Sequence, residues 1–150
     1  IENKNIIPKE FRKGIGNKIF GCDDCLAICP WNKYAKLSNE TKFNHEMYNF
    51  DLHDLLKLCD ETFRVKFRGS PIKRIGRDRF LRNCCISAGN SNNKNLLPDI
   101  IKLLMDDKSF IVRGAAVWAF QQLSDKELYK HIKVKHLNIE KDTSVIQEWT

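Results

Sequence analysis

The chain has 150 residues, a hydrophobic content of 42% and a formal net charge of +7. This length suits one domain or two small ones, and the apolar content is enough for a folded core. The sequence has no apolar run near the ~18 residues of a membrane-spanning helix, and it begins without the apolar core of a secretory signal. We therefore expect a cytoplasmic protein that makes no membrane contact. Because the first residue is Ile1 and not methionine, we also expect the chain to be part of a longer one.

The N-terminal part contains three closely spaced cysteines, Cys22, Cys25 and Cys29, and Pro30 follows directly. The spacing C-x2-C-x3-C-P is typical of one half of the double-cluster motif of bacterial ferredoxins, in which the cysteine before the proline ligates the other cluster. Since each 4Fe–4S cluster takes four ligands, these three cysteines complete neither cluster. The sequence therefore predicts the C-terminal half of a two-cluster, ferredoxin-like segment in residues 1–37.

The other three cysteines are expected to be reduced packing residues and not metal ligands. Cys59 continues an apolar pattern at i, i+3, i+4 and i+7 that starts at Leu52, and Asp51 is suited to cap the helix that this pattern predicts. Cys84 and Cys85 lie in another apolar helical stretch. Reduced thiols of this kind are typical of intracellular proteins.

The positive charge is concentrated between residues 64 and 82, where eight basic residues stand against one acid, Asp78. The remainder of the chain has eighteen basic and eighteen acidic residues and is therefore neutral. A local surplus of cations is the electrostatic footprint of a polyanion-binding surface. Interleaved phenylalanines favour a structured basic loop, and we predict contact with nucleic acid through Arg64, Lys66, Arg68, Lys73, Arg74, Arg77, Arg79 and Arg82.

The second half contains an internal repeat. Residues 80–88 align with residues 111–119 at a constant offset of 31, and each position keeps its class: apolar, apolar, Arg, three small residues, branched apolar, variable and Ala. A second helix is predicted from Leu97, with Pro98 in its first turn and a turn at Asp106 and Asp107. The pattern resembles a short variant of HEAT-like repeats, in which stacked helix pairs share a core. Residues 142–149 are a candidate start of a third copy.

These features together predict a mainly α fold with three regions. Residues 1–37 form the incomplete ferredoxin-like iron–sulfur segment. Residues 38–75 contain a polar linker over 38–48, the helix capped by Asp51 and the basic loop. Residues 76–150 form the short HEAT-like helical repeats.

The combination resembles the C-terminal part of the epoxyqueuosine reductase family, cobalamin-dependent iron–sulfur enzymes of tRNA queuosine synthesis. The resemblance extends over most of the chain. It rests on Ile-Gly-Asn at 15–17, Gly-Cys-Asp-Asp-Cys at 21–25, Cys-Pro-Trp-Asn at 29–32, Phe-Arg-Gly-Ser-Pro-Ile-Lys-Arg at 67–74, Gly-Arg at 76–77, Phe-Leu-Arg-Asn at 80–83, Ala-Gly-Asn-Ser at 88–91 and Val-Arg-Gly-Ala-Ala-Val-Trp-Ala at 112–119.

The resemblance implies an oxidoreductase that uses two 4Fe–4S clusters and cobalamin on a tRNA anticodon stem–loop. Cys22 and Cys25 would complete the second cluster and Cys29 the first, while Asn32 and Lys33 would border the corrinoid. The remaining ligands, the proton donor and most of the corrinoid site would come from an upstream region or a separate chain. We therefore expect these 150 residues alone to be inactive and the complete protein to be a monomer. The electron donor is not indicated.

Two other interpretations fit the cysteines. One is a generic ferredoxin-type electron-transfer module, which leaves the basic loop and the repeats without a role. The other is a zinc-stabilised helical domain that binds nucleic acid, in which a histidine such as His45 or His53 joins Cys22, Cys25 and Cys29 in a tetrahedral site.

Overall fold

The computed structural model describes residues 1–36 and 50–150, and every regular element in those two ranges is a helix. The α-helices are α1 (Lys9–Ile15), α2 (Asp24–Ala27), α3 (Leu52–Leu56), α4 (Asp60–Lys66), α5 (Arg77–Asn90), α6 (Leu97–Asp106), α7 (Phe110–Leu123), α8 (Lys126–Leu137) and α9 (Thr143–Gln147). Short 3-10 helices cover Pro30–Tyr34, Pro71–Ile75 and Lys94–Leu96. The mainly α prediction is confirmed. The predicted linker at 38–48 lies outside the described residues.

The start of α3 matches the sequence prediction, but its end does not. The Asp51 carboxylate accepts a hydrogen bond from the backbone N–H of His53 at 3.0 Å, as an N-cap does. The helix then ends at Leu56, one turn before Cys59. Cys59 is exposed and caps α4, where its backbone N–H donates to the Thr62 hydroxyl at 3.0 Å. The prediction that Cys59 is a core residue is therefore wrong, because the chain turns before the apolar spacing reaches it.

The core is built around α5 and α7, which pack directly on each other. Cys84 and Cys85 on α5 are fully buried, as predicted, and burial raises the pKa of both thiols. The close approach of the two helices depends on Gly89. A Cβ atom there would lie 2.5 Å from the Trp118 ring and 3.0 Å from the backbone of Ala119. Only glycine fits this contact without movement of α7.

The aligned sequences of the repeat lie on helices that pack against each other. Helices α5 and α7 carry the two aligned sequences, and α6 lies between them in the chain and packs on α7. The third candidate copy forms α9, which also packs on α7 and is capped by the Asp142 carboxylate. The succession α5, α7, α9 agrees with the repeat spacing. The HEAT-like assignment and the three-region division stay predictions.

Residues 1–20, which we call the N-terminal segment, are bound to the helical array by a buried ion pair. The Arg12 guanidinium donates two hydrogen bonds to the Glu148 carboxylate, at 2.8 and 2.6 Å, and a third to the Ile7 carbonyl at 2.8 Å. The same group lies 5.7 Å from the centre of the Trp118 ring. Because both charged side chains are buried and fully paired, they connect α1 to the residue that follows α9 without leaving an uncompensated charge.

Within the described ranges, no helix is both long enough and apolar enough to cross a lipid bilayer.

We expect Gly89→Ala to destabilise the fold by about 1–3 kcal/mol, because the added methyl group overpacks the contact with Trp118 and Ala119. Gly114→Ala on α7 is the matched control, since its Cβ would meet its nearest neighbour, Glu148, at an ordinary 3.6 Å. The control should be neutral or more stable by up to ~1 kcal/mol, because alanine has the higher helix propensity. Urea unfolding followed by circular dichroism measures both. Equal losses in the two variants would show that the α5–α7 distance is not limited by Gly89.

The Glu140 carboxyl group makes the free energy of unfolding depend on pH in the acid range. Burial would raise the pKa of Glu140, but hydrogen bonds from Arg113 and from the backbone of Asp142 and Lys141 lower it from 4.5 to about 2. A lowered folded-state pKa contributes stability that is present above pH 4.5 and is lost as the pH falls towards 2. We expect Glu140→Gln to be less stable than the native protein at pH 6 by up to about 3 kcal/mol. His136 also faces Glu140, at 3.4 Å.

The two proteins should converge in stability as the pH approaches 2, since protonated Glu140 and glutamine are both neutral. Urea unfolding at several pH values between 2 and 6 tests this convergence. Because Glu140 also raises the pKa of His136, which burial lowers, the difference between the two curves reports the coupled titration of this pair. A difference that stays constant over this range would contradict the prediction.

Candidate functional site

The three motif cysteines lie on one short segment that begins with a tight turn. Gly21 and Asp23 have positive φ angles of 70° and 50°, which fold the chain sharply around Cys22 before α2 begins. Cys25 lies in α2, and Cys29 precedes the 3-10 helix that starts at Pro30. All six cysteines of the chain are free thiols. Cys22 and Cys25 are exposed and Cys29 is half-buried, so all three are accessible for ligation.

The Cys22 thiol interacts with an acidic neighbour. Its Sγ donates a hydrogen bond to the Asp24 carboxylate at 3.0 Å, and the Lys18 ammonium lies 3.4 Å from the same oxygen. The hydrogen bond from Cys22 is the main cause that lowers the pKa of Asp24. Ligation by a Cys22 thiolate would break this bond, because a thiolate has no proton to donate.

The three thiols do not form a closed metal site by themselves. Nowhere in residues 1–36 and 50–150 do three or more Cys, His, Asp or Glu side chains converge in a way that could hold a metal ion. The His53 ring contacts the Asp99 carboxylate on α6 instead of the cysteines. His45 lies outside the described residues. This geometry does not support the tetrahedral zinc site, whereas a half-set of cluster ligands needs no such convergence.

Large apolar side chains next to the cysteines are exposed. Ile28 is 82% exposed and Trp31 is 74% exposed, and Leu26 and Tyr34 are exposed by more than half. Asn32, predicted to border a corrinoid, donates a side-chain hydrogen bond to the Leu26 carbonyl. The Lys33 ammonium lies 4.9 Å over the Tyr34 ring. The predicted roles of Asn32 and Lys33 stay predictions.

The predicted basic loop is an ordered surface over an aromatic core. Phe63, Phe67 and Phe80 pack with their ring centres 4.9–5.4 Å apart and are almost fully buried. Ser70 caps the 3-10 helix that follows, through a hydrogen bond to the N–H of Ile72 at 3.2 Å. We define the basic surface as the exposed or half-exposed cations of this region that do not pair with a buried carboxylate: Arg64, Lys66, Arg68, Lys73, Arg74 and Arg79.

Arg82 and Arg77 do not belong to this surface, and the predicted nucleic-acid set is corrected by their removal. Arg82 is 1% exposed, and it donates to the carbonyls of Ile1, Asn3 and Asn5 at 2.6–2.7 Å. Burial lowers the pKa of Arg82 to about 10, with smaller contributions from neighbouring cations. Neither its position nor its hydrogen bonds leave Arg82 available to a phosphate.

The Arg77 guanidinium is bound inside the protein as well. It donates to the Asp107 carboxylate at 2.6 Å and to the Leu58 carbonyl at 2.9 Å, and its side chain is 17% exposed. Its charge is therefore neutralised locally. The sequence contains one signal for the structural role of Arg82, because Arg82 aligns with Arg113 in the repeat. Arg113 likewise donates to backbone carbonyls, those of Asp107 and Lys108.

Two other polar side chains of α5, those of Asn83 and Asn90, have contacts that no sequence pattern predicts. Asn83 and Asn90 donate hydrogen bonds to backbone carbonyls of the segment that leads into the cysteines. Asparagine in a helix carries no sequence signal for such a role, although both residues lie in blocks on which the family resemblance rests. The structure therefore joins the cysteine segment to the helix that begins beside the basic surface.

Comparison with known proteins supports the iron–sulfur interpretation of the N-terminal part. Residues 1–32 match the family model described as a 4Fe-4S double cluster binding domain. An epoxyqueuosine reductase from Pseudomonas aeruginosa is 36% identical over 124 residues, which are 81% of this chain and 34% of that protein. A Geobacillus stearothermophilus protein, named "Uncharacterized protein in gldA 3'region", is 32% identical over 98% of this chain and 68% of its own length.

The fold is also shared with a solved structure. A crystal structure of epoxyqueuosine reductase with an epoxyqueuosine-modified tRNA-Tyr stem loop matches with a TM-score of 0.90 and 28% identity. The match covers 99% of this chain and 40% of the other. This chain thus spans about a third of the length of the curated reductases that it matches. The chain belongs to the epoxyqueuosine reductase family.

Proposed function

We propose that this chain is the part of an epoxyqueuosine reductase that supplies three cluster ligands and a surface for tRNA. The observation that carries the proposal is the agreement of nearly the whole chain with a reductase structure that holds a tRNA stem loop. The basic surface and the cysteine segment provide the two kinds of chemistry that such a protein requires. A generic ferredoxin-type module would need the cysteines alone.

In this proposal, Cys22 and Cys25 are ligands of one 4Fe–4S cluster and Cys29 is a ligand of a second. The remaining ligands, cobalamin and the catalytic acid belong to parts of the protein beyond these residues. The clusters supply electrons one at a time, and conversion of an epoxide to an alkene and water consumes two electrons and two protons. The exposed thiols and their apolar surroundings suit this role, since burial of a cluster against apolar groups tunes its potential.

The basic surface would bind the phosphates of an anticodon stem–loop. Phosphate contacts from Lys and Arg position a nucleic acid and dominate its affinity, but they do not read its sequence. The buried aromatic cluster of Phe63, Phe67 and Phe80 fixes the backbone that carries these cations. A surface that is already ordered loses less conformational entropy when it binds RNA than a mobile basic tail would lose.

Asn32 and Lys33 are the residues of this chain that would border cobalamin. They follow Cys29 in a 3-10 helix, and both are exposed. The hydrogen bond from Asn32 to the Leu26 carbonyl ties this helix back to α2. Asn32 and Lys33 follow Cys29 by three and four residues, so one short segment of this chain would contribute to both cofactor sites.

We expect Arg68→Ala combined with Lys73→Ala to weaken tRNA binding by the complete, cluster-loaded protein by about tenfold or more at physiological salt. The plot of log affinity against log salt should also become shallower by about one unit for each phosphate that the variant no longer binds. Lys126→Ala combined with Lys130→Ala removes the same charge from exposed positions on α8 and is the matched control. Fluorescence anisotropy with an anticodon stem–loop measures both.

Equal weakening by the two double variants would show that net charge, and not the basic surface, determines the affinity. A native protein whose binding is absent near physiological ionic strength would favour the generic electron-transfer module.

Combined cysteine substitutions test how the ligands are divided between clusters. We expect Cys22→Ser and Cys22→Ser/Cys25→Ser to lose the same amount of iron, about four atoms per protein, because both thiols serve one cluster. Cys22→Ser/Cys29→Ser should lose iron from both clusters. Iron analysis and electron paramagnetic resonance after anaerobic purification distinguish these cases.

Cys59→Ser is the control, because Cys59 is exposed but lies in the cap of α4, away from the motif. It should keep the native iron content. If Cys22→Ser/Cys29→Ser loses no more iron than Cys22→Ser alone, the three cysteines serve a single cluster and the division is wrong.

A further inference from the structure

Two asparagines of α5 donate hydrogen bonds to four backbone carbonyls of the N-terminal segment. The Asn83 amide nitrogen donates to the carbonyls of Ile1 and Ile19, at 3.0 and 2.8 Å. The Asn90 amide nitrogen donates to the carbonyls of Arg12 and Gly16, at 2.8 and 2.9 Å. Each amide thus uses both of its N–H donors on backbone that leads into the cysteine motif.

The spacing of the two asparagines along α5 allows both to contact the same segment. Seven residues are about two turns of helix, so Asn83 and Asn90 lie on one face of α5, roughly 10 Å apart along its axis. The Asn83 amide is also oriented from the other side, because its oxygen accepts hydrogen bonds from Arg82 at 3.1 and 3.0 Å. With its oxygen held, the nitrogen of Asn83 faces the segment.

Further hydrogen bonds from α5 hold the same segment, since the Arg82 guanidinium donates to the carbonyls of Ile1, Asn3 and Asn5. Helix α1 has seven residues, which is too short to be stable alone in water. Ile7 is the one apolar side chain of residues 1–20 that is fully buried, while Ile15, Ile19 and Phe20 pack against the core and stay partly exposed. The Arg12–Glu148 pair binds α1. Because Ile19 precedes Cys22 by three residues, the Asn83 bond holds the backbone just before the first cluster ligand.

The same helix begins at the basic surface. Arg79 lies in the first turn of α5, and its guanidinium donates to the Arg74 carbonyl at 3.4 Å. The N-terminal end of α5 therefore carries a residue of the proposed tRNA surface. One face of the same helix binds the backbone that leads into the motif cysteines. We infer that Asn83 and Asn90 are positioning residues that set where the cysteine segment lies relative to the basic surface. This inference rests on the proposed function of the two parts.

Asn90→Asp in the complete, cluster-loaded protein is the sharpest test. The change keeps the shape of the side chain but replaces the amide nitrogen, with its two N–H donors, by a carboxylate oxygen that faces two carbonyls less than 3 Å away. Asn90 is only half-buried, so the helical core should still fold. Asn95→Asp makes the same change at an exposed position shortly after α5 and is the matched control. Asn90→Ala removes the donors without adding charge.

Hydrogen–deuterium exchange gives the first readout. We expect the amides of residues 9–22 to exchange about tenfold faster or more in Asn90→Asp, and by a smaller factor in Asn90→Ala, while α6 and α7 keep their native exchange. The electron paramagnetic resonance signal of the reduced clusters should change as well. Stem–loop affinity should stay within about twofold, because the basic surface is untouched.

Native exchange in residues 9–22 of Asn90→Asp would overturn the inference. So would acceleration that extends equally to α6 and α7, because the asparagine would then serve only general stability. The exchange measurement needs no cluster, and it separates this inference from the proposed function. A wild-type protein without a cluster signal would refute the function and leave the positioning role of the asparagines to be judged by exchange alone.

Discussion

The close contact of α5 with α7 is the constraint on which the rest of the structure depends. Gly89 brings the two helices so near that the Trp118 ring covers it, and ten of the fourteen residues of α5 are buried. Over residues 80–89 this helix has no solvent-exposed face for its polar side chains. Arg82 and Asn83 are therefore inside, where each polar atom must find a partner in the protein. The N-terminal segment supplies those partners through its carbonyls.

This mutual requirement explains how one half of a cluster motif is held on a helical array. Arg12 and Arg113 are paired with the carboxylates of Glu148 and Glu140, so their charges are compensated directly. The Arg82 guanidinium is instead bound by the Asn83 oxygen and three backbone carbonyls of residues 1–5. If the segment were displaced, Arg82 would keep a buried charge without these acceptors, which costs several kcal/mol. The helix and the segment therefore stabilise each other.

Sequence reasoning succeeded where a local pattern determines the structure. The Asp51 cap, the burial of Cys84 and Cys85 and the family of the chain all followed from spacing and motifs. It failed for Cys59 because helix ends depend on tertiary packing, and a regular apolar spacing continues past the residue where α3 ends. It also failed for Arg77 and Arg82, which lie in a basic run but have their acceptors 30 residues downstream and about 80 residues upstream. No local pattern contains such long-range partners.

The internal contacts of these arginines change what the net charge of +7 means for the proposed contact with tRNA. Of the eight cations between residues 64 and 82, Arg77 and Arg82 are committed to the interior, and Arg64 is shared with Asp60 through an ion pair at 3.0 Å. At most six cations of this region can release counterions from a nucleic acid. Each phosphate contact contributes about 0.7–0.9 to the slope of log affinity against log salt concentration. The basic surface therefore accounts for a slope of about five at most. Arg82 serves instead to hold the segment that leads into the motif cysteines, and Arg77 binds Asp107 and Leu58. The positive charge of this region therefore has a structural part and a surface part, which composition alone does not separate.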